Sequence, residues 1–186
     1  MGNLIDYIYS RSIVQNYCNK KVESQKIMLL LEAAMAAPSA CSNDPWEFIV
    51  ISEEEKSKEL KEKTKFKCCN APLSIVVCGN TKLGKVDIEN TLLQDCSAAI
   101  QNIVLACAGI DLAAEWCIIY PSYEKIESIK EMLHIPEHVI PLGIVCVGYP
   151  NETKSLKAKY NEKRIYWEEY DSSRSLKGRP KKSLRF

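Results

Sequence analysis

The spacing of apolar positions divides the chain into segments of two kinds. From Ser24 onward Ile27, Leu30, Leu31, Ala34 and Met35 recur at helical spacing, which predicts an amphipathic helix that ends before Pro38. A wider stripe runs from Asp87 to Ala108. There Ile88, Leu92, Cys96, Ala99, Ile103 and Cys107, flanked by Leu93, Ile100 and Val104, predict the longest helix and the core of the fold. Shorter helices are predicted for Leu4 to Ser10, for the charged stretch Glu53 to Lys63, and for Tyr123 to Leu133, the last stopped near Pro136. Four segments read as strands. EFIVIS (Glu47 to Ser52) is β-branched and aromatic, and Leu112 to Ile119 and Leu142 to Gly148 are similar, the latter closed by Gly148-Tyr149-Pro150. Leu73 to Gly79, bounded by Pro72 and Gly79-Asn80, is continuously apolar, so it is expected at the centre of the sheet with both faces buried. Between the second helix and the first strand, Ala37 to Trp46 breaks every period. It is rich in Pro, Ser, Asn and Asp and reads as a loop.

Helices and strands therefore interleave, with few strands and several long helices. That order points to an α+β domain of three layers, α/β/α, around a central mixed sheet. At 186 residues, nearly half of them apolar, the chain fits one domain with a sizeable core. We expect it to span residues 1–170 and to be followed by a tail, residues 171–186. From Ser172 the tail holds Arg174, Lys177, Arg179, Lys181, Lys182 and Arg185 with no acid, so those six charges leave −5 on the remainder against +1 for the whole chain. Such a tail is a solvated terminus, a strap over a partner subunit, or a contact for RNA, a membrane or an acidic partner. The nearly balanced charge of the whole chain, +1, gives no reason to expect nucleic acid or an anionic membrane as partner of the main body. No basic segment followed by an apolar run opens the sequence, and no run of 18 apolar residues appears, so a cytoplasmic location is expected. The nine cysteines are scattered without a CxxC pair, and most lie in apolar runs. They read as reduced core thiols rather than metal ligands, and no metal is expected; the vicinal pair Cys68-Cys69 is the exception that could be redox active.

Three separated segments carry the candidate chemistry. RSIVQNY (Arg11 to Tyr17) offers an arginine that either grips a phosphate or complements a helix C-terminus. APSACSNDPWEF (Ala37 to Phe48) has small side chains that expose the main chain, with Ser39, Ser42, Asn43 and Asp44 as hydrogen-bonding groups. It can meet the edge of a planar heterocycle or serve as an ordinary turn and cap. KAKYNEKRIYWEEY (Lys157 to Tyr170) gathers Lys157, Lys159, Lys163 and Arg164, either a solvated charged helix or, with Arg11, a phosphate site built from both ends of the chain.

Taken in order, these segments together with QDCSAAIQNIVLACAGIDLAAEW, WCIIYP and IPEHVIPLGIVCVGYP resemble the nitroreductase family of FMN-dependent enzymes from about Tyr9 to Tyr170. The resemblance implies a homodimer whose interface builds two identical FMN sites, both subunits contributing to each. It also implies hydride transfer from NADH or NADPH through the flavin to nitroaromatics, quinones or similar acceptors by a ping-pong route. By the same resemblance Arg11, Ser12 and Gln15 fall at phosphate or ribityl contacts and Pro38, Ser39, Ala40 and Ser42 at the flavin-contacting loop. Cys117 and Ile118 fall where backbone groups face the reactive ring nitrogen, and Lys159 and Arg164 at the C-terminal phosphate contacts. No catalytic side chain is implied, since the cofactor carries the hard step; His134 and His138, flanking Pro136, read as structural.

The chain departs from the family where basic residues and a serine give way to Ser12, Ile13 and Gln15, where an Asn and a Gln give way to Ser42 and Asp44, and where expected glycines are Asp111, Ala113 and Ile118. A carboxylate at Asp44 either disfavours an anionic reduced flavin or simply caps a turn ahead of Pro45. The reduced charge at the phosphate positions motivates an alternative function, a non-catalytic FMN-binding storage, sensor or interaction protein.

Overall fold

The computed structural model describes residues 4–10, 14, 16–66, 70–84, 88–151 and 160–173. The chain forms two compact units, Met1–Leu156 and Lys157–Phe186. The first contains helices α1 (Leu4–Ser10), α2 (Ser24–Met35), α3 (Glu54–Thr64), α4 (Ile88–Gly109) and α5 (Tyr123–Leu133), with strands β1 (Trp46–Ile51), β2 (Leu73–Asn80), β3 (Ala113–Ile118) and β4 (Val139–Gly148). Each predicted element is present, with ends that shift by a few residues.

The sheet has the order β1-β2-β4-β3. Successive strand residues point to opposite faces, so alternate residues of the central strands join two different cores. Leu73, Ile75, Val77, Val145 and Val147 pack with Leu30 and Ala34 of α2 and Cys96, Ala99 and Ile103 of α4. On the other face Val76, Cys78, Ile144, Cys146 and Cys117 pack with Leu60 of α3 and Ile129 and Met132 of α5. The three-layer α/β/α arrangement follows, with β2 buried along its whole length between β1 and β4. Each fully buried Leu or Ile in these layers contributes about 1.5–3 kcal/mol through burial.

The sheet was expected to be mixed, but every pair among the described strands is antiparallel. Ile51, at the end of β1, pairs with Ser74 at the start of β2, so β2 begins at the end of the sheet where β1 finishes. β4 also begins earlier than the apolar run alone suggests. Pro141 cannot donate a ladder hydrogen bond, and the register steps from Val77↔Gly143 to Cys78↔Pro141, leaving Leu142 as a bulge. The Leu142 carbonyl then accepts from Ile119 and Tyr120 N–H at 3.2 Å.

By length and composition α4 could cross a membrane, but its stripe of Cys96, Ala99, Ile100, Ile103 and Cys107 is buried in the core. Asn102 Nδ2 donates to the Ala33 carbonyl at 2.9 Å and Lys26 Nζ to that of Ile110 at 2.7 Å, fixing α2 along α4. The α5 helix ends at His134, whose φ of 55° makes it a left-handed cap, its N–H donating to the Lys130 carbonyl. In the second unit, a 3₁₀ turn covers Glu162–Arg164 and the rings of Tyr166 and Tyr170 stack 4.3 Å apart.

Candidate functional site

The loop from Pro38 to Asp44 joins α2 to β1. Pro38 stops α2, Ser39 is extended, and Ala40–Ser42 make one 3₁₀ turn. Cys41, Ser42 and Asp44 have φ of 52°, 51° and 46°. Such left-handed conformations cost a non-glycine residue about 1–3 kcal/mol and persist only where the surroundings over-determine them. Here they do. Ser39 Oγ–H donates to Asp44 Oδ1 at 2.5 Å, and Asp44 N–H donates back to Ser39 Oγ at 3.0 Å. The Ser42 and Asn43 N–H groups donate to the Ser39 and Ala40 carbonyls. From within α4, Asp95 Oδ1 accepts the Ala40 N–H at 2.9 Å. Past the loop, Asn80 N–H donates to the Pro45 carbonyl at 2.8 Å and its side-chain amide to Glu47 Oε1 at 2.8 Å, tying the start of β1 to the end of β2.

Of the two readings of Asp44, this geometry favours the turn cap, because its Oδ1 is engaged by Ser39 within the loop. Pro38, Ala40 and Ser42 present small side chains, so a planar ring can approach the main chain closely.

Cys117 and Ile118 close β3. The Cys117 side chain is buried on the α3–α5 face, whereas Ile118 is 63% exposed. Beside them Trp116 lies over Gly143, a packing that only glycine permits: a Cβ there would stand 2.7 Å from Trp116 Nε1. Arg164 is exposed in the 3₁₀ turn of the second unit. Arg11, Ser12, Gln15 and Lys159 lie outside the described residues, as does the basic tail from Arg174 onward.

The fold gathers Pro38, Ser39, Ala40 and Ser42 but holds Cys117 and Ile118 apart from them. Both groups sit at the end of the sheet where Trp46 pairs with Gly79 and Ile118 with Gly143, yet on opposite edges, about 14 Å apart by strand spacing. The segment just after Gln15 lies at the far end of the sheet. Tyr17 bridges Pro150, Cys18 N–H donates to the Tyr149 carbonyl at 2.8 Å, and Tyr17 Oη–H donates to that of Cys146 at 3.1 Å. The length of β4, about 30 Å, separates that end from the loop.

Sequence reasoning missed Asp95. It is 5% exposed, and its Oδ2 is buried with no hydrogen-bond partner among the described residues. The available signal was a carboxylate next to Cys96 inside the buried stripe of the longest helix.

Compared with known proteins, the chain matches the model of the Nitroreductase family over residues 8–67 and 56–149. A protein of Archaeoglobus fulgidus provisionally named an NADH dehydrogenase/NAD(P)H nitroreductase is 34% identical over 175 residues, covering 91% of this chain and all of that protein. Among solved structures, one from Clostridium acetobutylicum provisionally named an NADH oxidase has a TM-score of 0.84 at 38% identity, covering 89% of this chain and 100% of its own. An FMN-dependent nitroreductase from Clostridium difficile has a TM-score of 0.81 at 26% identity, covering 89% and 99%.

Proposed function

Because the chain belongs to the nitroreductase family, and so is an NAD(P)H-dependent flavin oxidoreductase that uses FMN, we propose that it reduces nitroaromatics, quinones or similar acceptors by a ping-pong route. The observation that carries this reading is the Pro38–Asp44 loop, whose small side chains and tightly held main chain suit the edge of an isoalloxazine.

Bound FMN supplies hydride acceptance and delivery; the chain supplies position and shielding. In this proposal Pro38, Ser39, Ala40 and Ser42 meet the ring edge, Cys117 and Ile118 offer backbone groups near the reactive nitrogen, and Arg11, Ser12, Gln15, Lys159 and Arg164 hold phosphate and ribityl. The acting unit is a homodimer. Two observations support it: the loop and the end of β3 lie on opposite edges of one sheet, and large apolar side chains are left exposed on the α1–α2–α4 layer, including Ile5, Tyr9, Met28, Leu29, Met35 and Leu93. A cytoplasmic setting agrees with described cysteines that are all free thiols.

Initial rates over a matrix of NADH and quinone concentrations should give parallel double-reciprocal lines; converging lines contradict the ping-pong route. Heterodimers of an R11A chain and an A40W chain, whose indole would block the ring edge at the loop, test the shared site. If Arg11 and the loop of each site come from different chains, one site is intact and half the FMN is retained. Loss of FMN from both sites contradicts the shared arrangement.

A further inference from the structure

Asp95 stands out because nothing in the packing of α4 calls for a charge at its place. Its neighbours Leu92, Cys96 and Ala99 are core residues, and it is itself buried. One oxygen accepts the Ala40 N–H, while the other is buried without a partner among the described residues. A buried, half-satisfied carboxylate weakens a fold compared with an apolar residue of similar size, so its place needs another explanation.

The bond it makes supplies one. Ala40 opens the stretch that contains three left-handed non-glycine residues, and the Ser39–Asp44 pair fixes that stretch only to itself. Asp95 ties it to the long core helix, across 55 residues of sequence.

We propose that Asp95 is a positioning residue for the flavin: by holding the Ala40 amide it fixes the Pro38–Asp44 loop in the shape that receives the ring edge, and the exchange is stability for preorganisation. The proposal rests on the reading of this loop as flavin-contacting. Asp95 itself need not touch FMN. A hydrogen bond between an amide and a buried carboxylate is strong enough for its loss to weaken FMN binding about ten-fold or more.

The test uses full-length protein and FMN itself, with affinity read from quenching of flavin fluorescence well below the melting temperature of every variant. D95A should raise the Kd for FMN at least about ten-fold and speed hydrogen exchange of the Ala40 amide in the apoprotein. D95N keeps an acceptor for that amide and should stay within about three-fold of wild type. A40P removes the N–H from the other side, and the extended Ser39 before it tolerates a proline; because Ala40 also meets the ring edge, its loss should be at least that of D95A. The double variant should lose no more than A40P alone, a coupling that general destabilisation would not produce. Visible circular dichroism of the flavin at saturation should change in D95A and remain native in D95N.

Wild-type protein that fails to bind FMN overturns the flavin reading and the proposal with it. Wild type that binds, alongside D95A and A40P that bind equally well, overturns the proposal alone. So does a D95N variant as weak as D95A, or additive losses in the double variant.

Discussion

Replacing Gly143 with alanine tests the packing that links the core to the end of β3. Gly143 pairs with Val77 on one side and Ile118 on the other. An added Cβ would stand 2.7 Å from Trp116 Nε1 and 3.0 Å from Ile100 Cδ1. The Ile100 methyl ends a flexible side chain and can give way. The indole is rigid and must swing as a unit, by about 1 Å to regain ordinary contact at about 3.7 Å. Overpacking of this kind costs about 1–3 kcal/mol. For a chain of this length that lowers Tm by about 2–12 °C. Thermal unfolding followed by circular dichroism measures it, and a double-mutant cycle with W116F identifies the cause, since G143A should cost less when the indole is absent. If Cys117 and Ile118 meet the flavin as proposed, FMN affinity should fall as well, because Trp116 immediately precedes them. An unchanged Tm, or the same cost in the W116F background, would refute the clash and the close approach inferred for Gly143.

Two further outcomes follow from the chemistry of single groups. Tyr149 Oη–H, the largest influence on Glu23, donates to its carboxylate at 2.5 Å, and with Lys20 beside it the carboxyl is lowered from the ordinary 4.5 to about 2. A depressed carboxyl contributes stability that is fully present above its unfolded pKa and lost as pH falls through the folded one. The Tm difference between wild type and E23Q should therefore hold above about pH 4.5 and shrink toward pH 2, and a difference independent of pH across that window would contradict the assignment. Burial pushes the thiols of Cys78, Cys96 and Cys107 up to about 12, whereas Cys41 is exposed. Iodoacetamide at about pH 8 should alkylate Cys41 in the native protein and reach those three only after unfolding, with peptide mass spectrometry as the check.

What could be read in the sequence was local, and what could not was mostly long-range. The stripe from Ile88 to Cys107 and the apolar run of β2 disclose their burial because periodicity records which face meets the core. The small residues after Pro38 identify the loop. Its left-handed geometry at Cys41, Ser42 and Asp44 is not legible, because no glycine marks it and the bonds that maintain it include one from Asp95. Strand direction escaped for a related reason: interleaved helices and strands fit parallel or antiparallel pairing, and the register of Ile51 with Ser74 depends on how the chain returns after α3. The bulge at Leu142 was half legible, since Pro141 signals an interrupted ladder without saying which residue is extruded. The segments that resemble a shared flavin site are legible as a set, but no one chain's topology brings the loop to the end of β3.

The most direct test of an NAD(P)H-dependent flavin enzyme is the visible spectrum of the purified, FMN-loaded protein without oxygen. Addition of NADH or NADPH should bleach the flavin absorption promptly, and a nitroaromatic or quinone added afterwards should restore it. Flavin that stays bound and oxidised in the presence of both nucleotides would contradict the account and leave a protein that binds FMN without turning it over.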